Sequence, residues 1–318
     1  MSLPRALLST FLSDLRDIQS IRYAQLASGT IIMYDHLVTF GDEVELIWKS
    51  SWTLGKFLFI LNRYYPLIAA IVNTYAIFFP RLTNTFCLRY FQWQGWTGLL
   101  TCMFPEIILQ MRIYALYSLN RKVLILIVAG FICASTASAV VMGKALSQIT
   151  AIAAHPIPGL VSCVPAGVPK HFFAFWIPIL VYESLLCGLA LFRGFQTFQS
   201  SASPFRSGKY LVSILIRDSI LYFLIMFATY LTNLLVWIVA PVNLTEIPVG
   251  FSVALSSIMG SRIIINMRAM NKGLSENRSL SRGALALGIH MDRNFTQQGE
   301  TVPSEMEMTP CRQIRESW

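Results

Sequence analysis

Along this chain apolar residues gather into long, unbroken runs. VLILIVAGFICASTASAVVM at 123–142 and ILYFLIMFATYLTNLLVWIVA at 220–240 contain no acidic or basic residue. Each holds about 20 residues, the length a helix rising ~1.5 Å per residue needs to cross ~30 Å of hydrocarbon. The same pattern, followed along the sequence, predicts seven membrane-crossing helices at 23–40, 57–79, 96–117, 123–142, 171–192, 211–237 and 246–265. The first and last are the weakest. The expected fold is therefore all-α, an integral membrane bundle of seven transmembrane helices over 23–265. A lead-in at 1–22 precedes it and a flexible polar tail at 266–318 follows.

Composition removes the soluble alternative. Of 318 residues, 55% are hydrophobic and 13% charged, with a mean hydropathy of +0.57, whereas a soluble domain carries about 25% charged residues to cover its surface. The lead-in has apolar positions at helical spacing but also Arg5, Asp14, Arg16, Asp17 and Arg22, and it lacks the apolar core and cleavage pattern of a signal peptide. It reads either as a helix on the membrane surface or as a poorly ordered segment.

Lysine and arginine set the expected orientation. With the N-terminus outside, the outer segments hold seven basic residues and the inner ones fourteen, the bias that cytoplasmic loops show. The N-terminus is then outside and the C-terminus cytoplasmic. A net charge of +9 is accounted for by this topology, without nucleic acid as a partner.

Polar residues inside the spans are the candidate chemistry. YDHLVTFGDEVELIW at 34–48 breaks its apolar run with Asp35, and Arg63 lies at comparable depth on the returning helix. A lone carboxylate there is costly, so an Asp35 to Arg63 contact is expected. Arg112, Arg217, Asp218 and Arg262 complete an inner polar layer, for which structural pairing or snorkelling to headgroups is also a sufficient account. Glu106, Gln110 and Glu183 fall near midplane without a basic residue at their depth, and form a candidate ligand or proton site. Neutral buried acids bonded to carbonyls would fit the same positions. Pro66, Pro105 and Pro178 are expected to interrupt three spans and free carbonyls toward a cavity between the third and fifth.

Cys87 and Cys163 fall in outer loops, where an oxidising exterior permits a disulfide. The loop at 143–170, the longest between spans, would be fastened by it. Enzyme signatures are absent: no HExxH, no CxxC, no dinucleotide fingerprint and no phosphate-binding loop. The four histidines lack metal-ligand spacing. The sequence thus predicts no catalytic residue, no metal and no cofactor.

YDHLVTFGDEVELIW followed by FLFILNRYYPLI resembles the N-terminal domain of the DUF6533 family, multi-span membrane proteins expanded in basidiomycete fungi. The likeness rests on Tyr34, Asp35, Thr39, Phe40, Glu43, Val44, Ile47 and Trp48, then Asn62, Arg63 and Tyr64. It covers about residues 25–75, with RIYALY at 112–117, RDSILYF at 217–223 and SRIIINMR at 261–268 as further landmarks. Ser219 stands where the family often has glycine. The resemblance implies a multi-pass membrane protein and no particular chemistry. Span number, the loop cysteines and the inner tail point by analogy to a receptor-like sensor of a small ligand with a cytoplasmic partner, in a plasma or secretory-pathway membrane. A transporter, an ion-conducting protein or a structural or trafficking protein are the alternatives.

Overall fold

Short polar side chains start several of the helices. Thr53 accepts a hydrogen bond from the Lys56 amide, Thr83 from that of Phe86 and Asn120 from that of Lys122, each satisfying an N–H that a first helical turn leaves open. The computed structural model describes residues 5–79, 82–157, 160–200, 207–240 and 244–286. Within these, the side chains of 5–10, 14, 155–157, 160, 170, 197–200, 207–219 and 274–286 lie outside the description. Seven helices result: α1 (Arg5–Glu43), α2 (Leu54–Phe78), α3 (Asn84–Leu116), α4 (Arg121–Gln148), α5 (Trp176–Ser200), α6 (Ser207–Val239) and α7 (Glu246–Ala286). A π-helical turn, Val44–Trp48, closes α1, and a 3-10 turn, Lys170–Phe175, precedes α5.

Consecutive helices pack side by side, and α7 closes the ring against α1 while α3 also touches α5, α6 and α7. Among the described residues six helices, α2 to α7, are long and apolar enough to cross a membrane. The chain is a multi-pass membrane protein. α4 has the highest mean hydropathy, 2.4, and is the least buried of the six, so its apolar surface is the natural neighbour of lipid. α1 is too polar on average to qualify, yet it runs parallel to α7: Gln25 lies by Glu246, Ser28 by Gly250 and Asp35 by Arg262. Residues 25–43 therefore traverse ~28 Å of the bundle at ~1.5 Å per residue.

α7 comes close to α2 because its facing residues are small. A Cβ on Gly260 would stand 2.8 Å from the Asn62 amide nitrogen. That amide donates to the Ser257 carbonyl at 2.8 Å and to Ser261 Oγ at 3.1 Å, and Ser257 Oγ donates back to the Asn62 carbonyl. Small residues at such a seam let backbones approach where no hydrophobic driving force separates helix from lipid.

Several expected boundaries are corrected. Residues of the lead-in from Arg5 onward are helical and continuous with α1, since their apolar period carries straight into the span. α7 continues to Ala286, so the polar stretch assigned to a tail from 266 is helical for its first 21 residues; it holds no proline to stop propagation. The loop at 143–170 is largely structured: α4 extends to Gln148, then β1 (Thr150–Ile157) pairs antiparallel with β2 (Leu160–Ala166). Ala151 is buried and Ile152 exposed, an alternation short enough to be hidden by the surrounding prolines. Pro178 does not interrupt a span. It sits in the first turn of α5, where its missing N–H costs nothing. Pro66 and Pro105 do lie inside α2 and α3.

The turn from α3 to α4 places Ser118 at φ 53° and Leu119 at φ 62°, a left-handed conformation that non-glycine residues adopt at a cost of ~1–2 kcal/mol. Ser118 is exposed and has little packing to lose. Ser118→Gly is expected to raise stability by up to about 1 kcal/mol and Ser118→Val to lower it, read as opposite shifts in the melting temperature of the detergent-purified chain.

Candidate functional site

The β-hairpin forms a roof over one end of the bundle. Cys163 on β2 is bonded to Cys87 near the start of α3, with Cα atoms 5.4 Å apart. Asn84 Oδ1 accepts from the Ala153 amide at 2.8 Å, and Arg22 Nη2 donates to the Val161 carbonyl at 2.6 Å. The roof is thus held by one covalent tie and by hydrogen bonds to α3 and α1.

Beneath it lies a cavity of about 180 Å³. Phe91, Gly98 and Cys102 of α3, Met142 of α4, Phe172, Phe175 and Trp176 before and at the start of α5, Trp237 of α6 and Val249 to Val253 of α7 enclose it. The lining is mainly apolar, with polar atoms from Gln25, Gln94, Ser252 and Glu246. The indole nitrogens of Trp176 and Trp237, in the same wall, are buried without a hydrogen-bond partner. A second cavity, of about 390 Å³, adjoins the first between α1, the ends of α2 and α3, and β2. Gln25, Phe91, Pro165 and Glu246 face both, and Gln25 Nε2 donates to Glu246 Oε2 at 3.3 Å between them.

Glu106, Gln110 and Glu183 lie outside this lining. Cys102, one turn before Glu106 on α3, forms part of the floor, and the two acids sit below it. Glu106 is 3% and Glu183 0% exposed. Glu106 Oε1, both oxygens of Glu183 and Gln110 Nε2 have no hydrogen-bond partner. Sequence spacing placed the acids near each other; it did not find the aromatic cavity above them, whose walls come from six helices and the hairpin.

At the opposite end the polar residues interlock. Arg63, 1% exposed, places Nη1 at 3.3 Å from Asp35 Oδ2 and Nε at 2.7 Å from Glu43 Oε2, and Nη2 donates to Thr39 Oγ1 at 2.6 Å. Arg262 reaches the other Asp35 oxygen at 2.8 Å from α7. Tyr64 and Trp48 both donate to Glu43 Oε1. The structure thus gathers Asp35, Arg63 and Arg262. Arg112 donates to the Ile263 carbonyl at 3.5 Å; Arg217 and Asp218 lie outside the residues whose side chains are described. Glu43, two turns beyond Asp35, was legible only as one of a run of acids at the helix end.

Two further cations bind the turn between α1 and α2. Lys56 Nζ donates to the carbonyls of Trp48 and Ser50 and lies 4.9 Å from the Trp52 ring centre. Arg268 donates to the Leu46 carbonyl at 3.0 Å, to Thr53 Oγ1 at 3.0 Å and to Ser50 Oγ. Lys272 pairs with Glu45 and holds that carboxyl below the usual carboxylate range. α7 is therefore fastened to the turn at successive positions along its length.

Residues 23–68 match the model of a family of unknown function, DUF6533. The matched segment contains Asp35, Glu43, Lys56, Asn62, Arg63 and Tyr64, so it encloses the α1 and α2 share of this polar network. No curated protein matches the chain.

Arg63→Ala leaves the fully buried Glu43 without a cation and Asp35 with Arg262 alone, and is expected to destabilise by about 3–5 kcal/mol. Arg262→Ala leaves Asp35 its Arg63 partner, and the Arg262 side chain is 47% exposed, so the expected cost is about 1 kcal/mol or less. Thermal unfolding of both variants in the same detergent checks the ranking; equal losses would contradict it.

Proposed function

We propose that the protein is a receptor-like sensor of a small ligand, held in the roofed cavity and read at the far end of the bundle through α7. The observation that carries this reading is that one helix serves both places. Glu246, Val249, Gly250, Ser252 and Val253 of α7 line the cavity, and Arg262 and Arg268 of the same helix enter the polar network and the α1 to α2 turn. A ligand that favours one position of α7 must therefore alter the fit of those arginines, which is the differential contact that coupling between two sites requires.

The ligand this cavity suits is small and largely apolar, since aromatic and aliphatic side chains dominate its walls and polar atoms are few. The adjoining cavity, separated by the Gln25 and Glu246 contact, offers a route past α1. The hairpin end is taken to face away from the cytoplasm, because a disulfide persists in an oxidising compartment and basic residues crowd the other side. α1 is then a seventh crossing, its Asp35 neutralised by two arginines. A cytoplasmic partner would meet the turn after α1, the turn after α3 and the end of α7.

A transporter or ion-conducting protein is the second reading, favoured by the unpaired acids Glu106 and Glu183 inside the bundle. The two separate by fate of the ligand. A sensor binds saturably without moving its ligand into sealed vesicles, whereas a carrier accumulates it.

Gly98 offers a clean test, because a Cβ built there meets nothing within 4 Å although the residue lines the cavity. A set of small uncharged apolar molecules is screened against the full chain in lipid nanodiscs by thermal shift. Molecules that stabilise the protein are expected to lose at least 10-fold in affinity with Gly98→Leu, while the variant keeps its own melting temperature. Undiminished binding to Gly98→Leu, or no stabilising molecule at all, counts against the cavity as the ligand site.

A further inference from the structure

Buried acids in this chain fall into two kinds. Asp35 and Glu43 are matched by arginines, whereas no ion pair among the described residues joins Glu106 or Glu183 to a base. These two, from α3 and α5, are close enough for the charge of one to act on the other. Two ionised carboxylates side by side in a medium of low dielectric, without a counter-ion or hydrogen-bond donors, are not sustainable.

What can satisfy them is limited by space. Both oxygens of Glu183 and Oε1 of Glu106 are unpartnered and shut off from any water-sized void. A metal ion needs several oxygen ligands at fixed distances and room for itself, and no group of acids, histidines and cysteines suited to a metal occurs among the described residues. A proton needs neither. Two further polar groups border the pair: the Tyr230 hydroxyl, fully buried against Cys102, and Gln110 Nε2, unpartnered one turn along α3. Both can orient toward a carboxyl that carries a hydrogen.

We propose that Glu106 and Glu183 together form a proton-binding site inside the membrane, with a proton carried on the pair at neutral pH. Uptake forms one O–H bond on a carboxylate oxygen and removes one negative charge, with bulk water as the source and no other reagent. The titratable groups around the site are Cys102 on α3, Tyr182 and Cys187 on α5 and Tyr230 on α6. Among the described side chains, no charged group of α4, α6 or α7 acts on it. Cys102 belongs both to the cavity floor and to this cluster, so the proton load and the cavity share a wall. The proton site itself stands whether or not the cavity binds a ligand.

The test is infrared spectroscopy of the full chain in nanodiscs between pH 5 and 8, in the region where protonated carboxyl groups absorb and carboxylates do not. A protonated carboxyl band is expected in the unmodified chain at pH 7. Glu106→Gln and Glu183→Gln should each remove part of it, and the double variant combined with Glu246→Gln, which takes away a third buried acid without an ion pair, should remove it at pH 7. Glutamine copies the shape and neutrality of the protonated acid, so the variants are expected to melt at or above the temperature of the unmodified chain at pH 7. Absence of the band, its persistence in the triple variant, or failure of all three variants to fold overturns the proposal. Loss of ligand binding with the band intact would strike the sensor reading alone.

Discussion

An unpaired charge in hydrocarbon is the constraint on which this structure turns. Arg63 could not lie 1% exposed between α1 and α2 without acids to meet it, and Asp35, Glu43 and Thr39 occupy its guanidinium from three successive turns of α1 and its end. That demand fixes the relative height and rotation of the first two helices. Arg262 then brings α7 to the same Asp35. A buried ion pair is weak evidence for stability in itself; here its effect is positional, because three helices have a single arrangement in which the charges cancel.

With α1, α2 and α7 held at one end, the hairpin closes the other. The disulfide anchors β2 to α3, and the contacts of Asn84 and Arg22 carry the roof from α3 across to α1. The space below stays open because several bordering positions are small, Gly98 among them, while the aromatic rings of Phe172, Phe175, Trp176 and Trp237 form rigid sides. The same helix that borders this space enters the polar network at its far end. The proposed sensing route follows from that continuity, and the acids under the floor give the bundle a second, separate chemistry.

The sequence by itself determined the membrane class, since apolar runs of about 20 residues with so little charge have no soluble solution. It located the polar residues at 35, 63, 106, 183 and 262 by depth, because a helix has a fixed rise and two helices joined by a short turn must return through the same levels. It could not say which of them meet. Glu43, passed over in a run of acids, sits at the centre of the network. Rotation about each helix axis decides such contacts, and rotation is set by packing against neighbours far apart in sequence.

The hairpin and the cavity are likewise products of tertiary structure. Prolines and glycines at 156–169 mask a strand pattern only a few residues long, and pairing of β1 with β2 depends on the support of α3 beneath it. The cavity draws walls from six helices and the hairpin, so no local pattern announces it. Length, hydropathy and charge are local sums that a chain carries unfolded; enclosure and charge pairing exist only once distant segments have been brought to the same place.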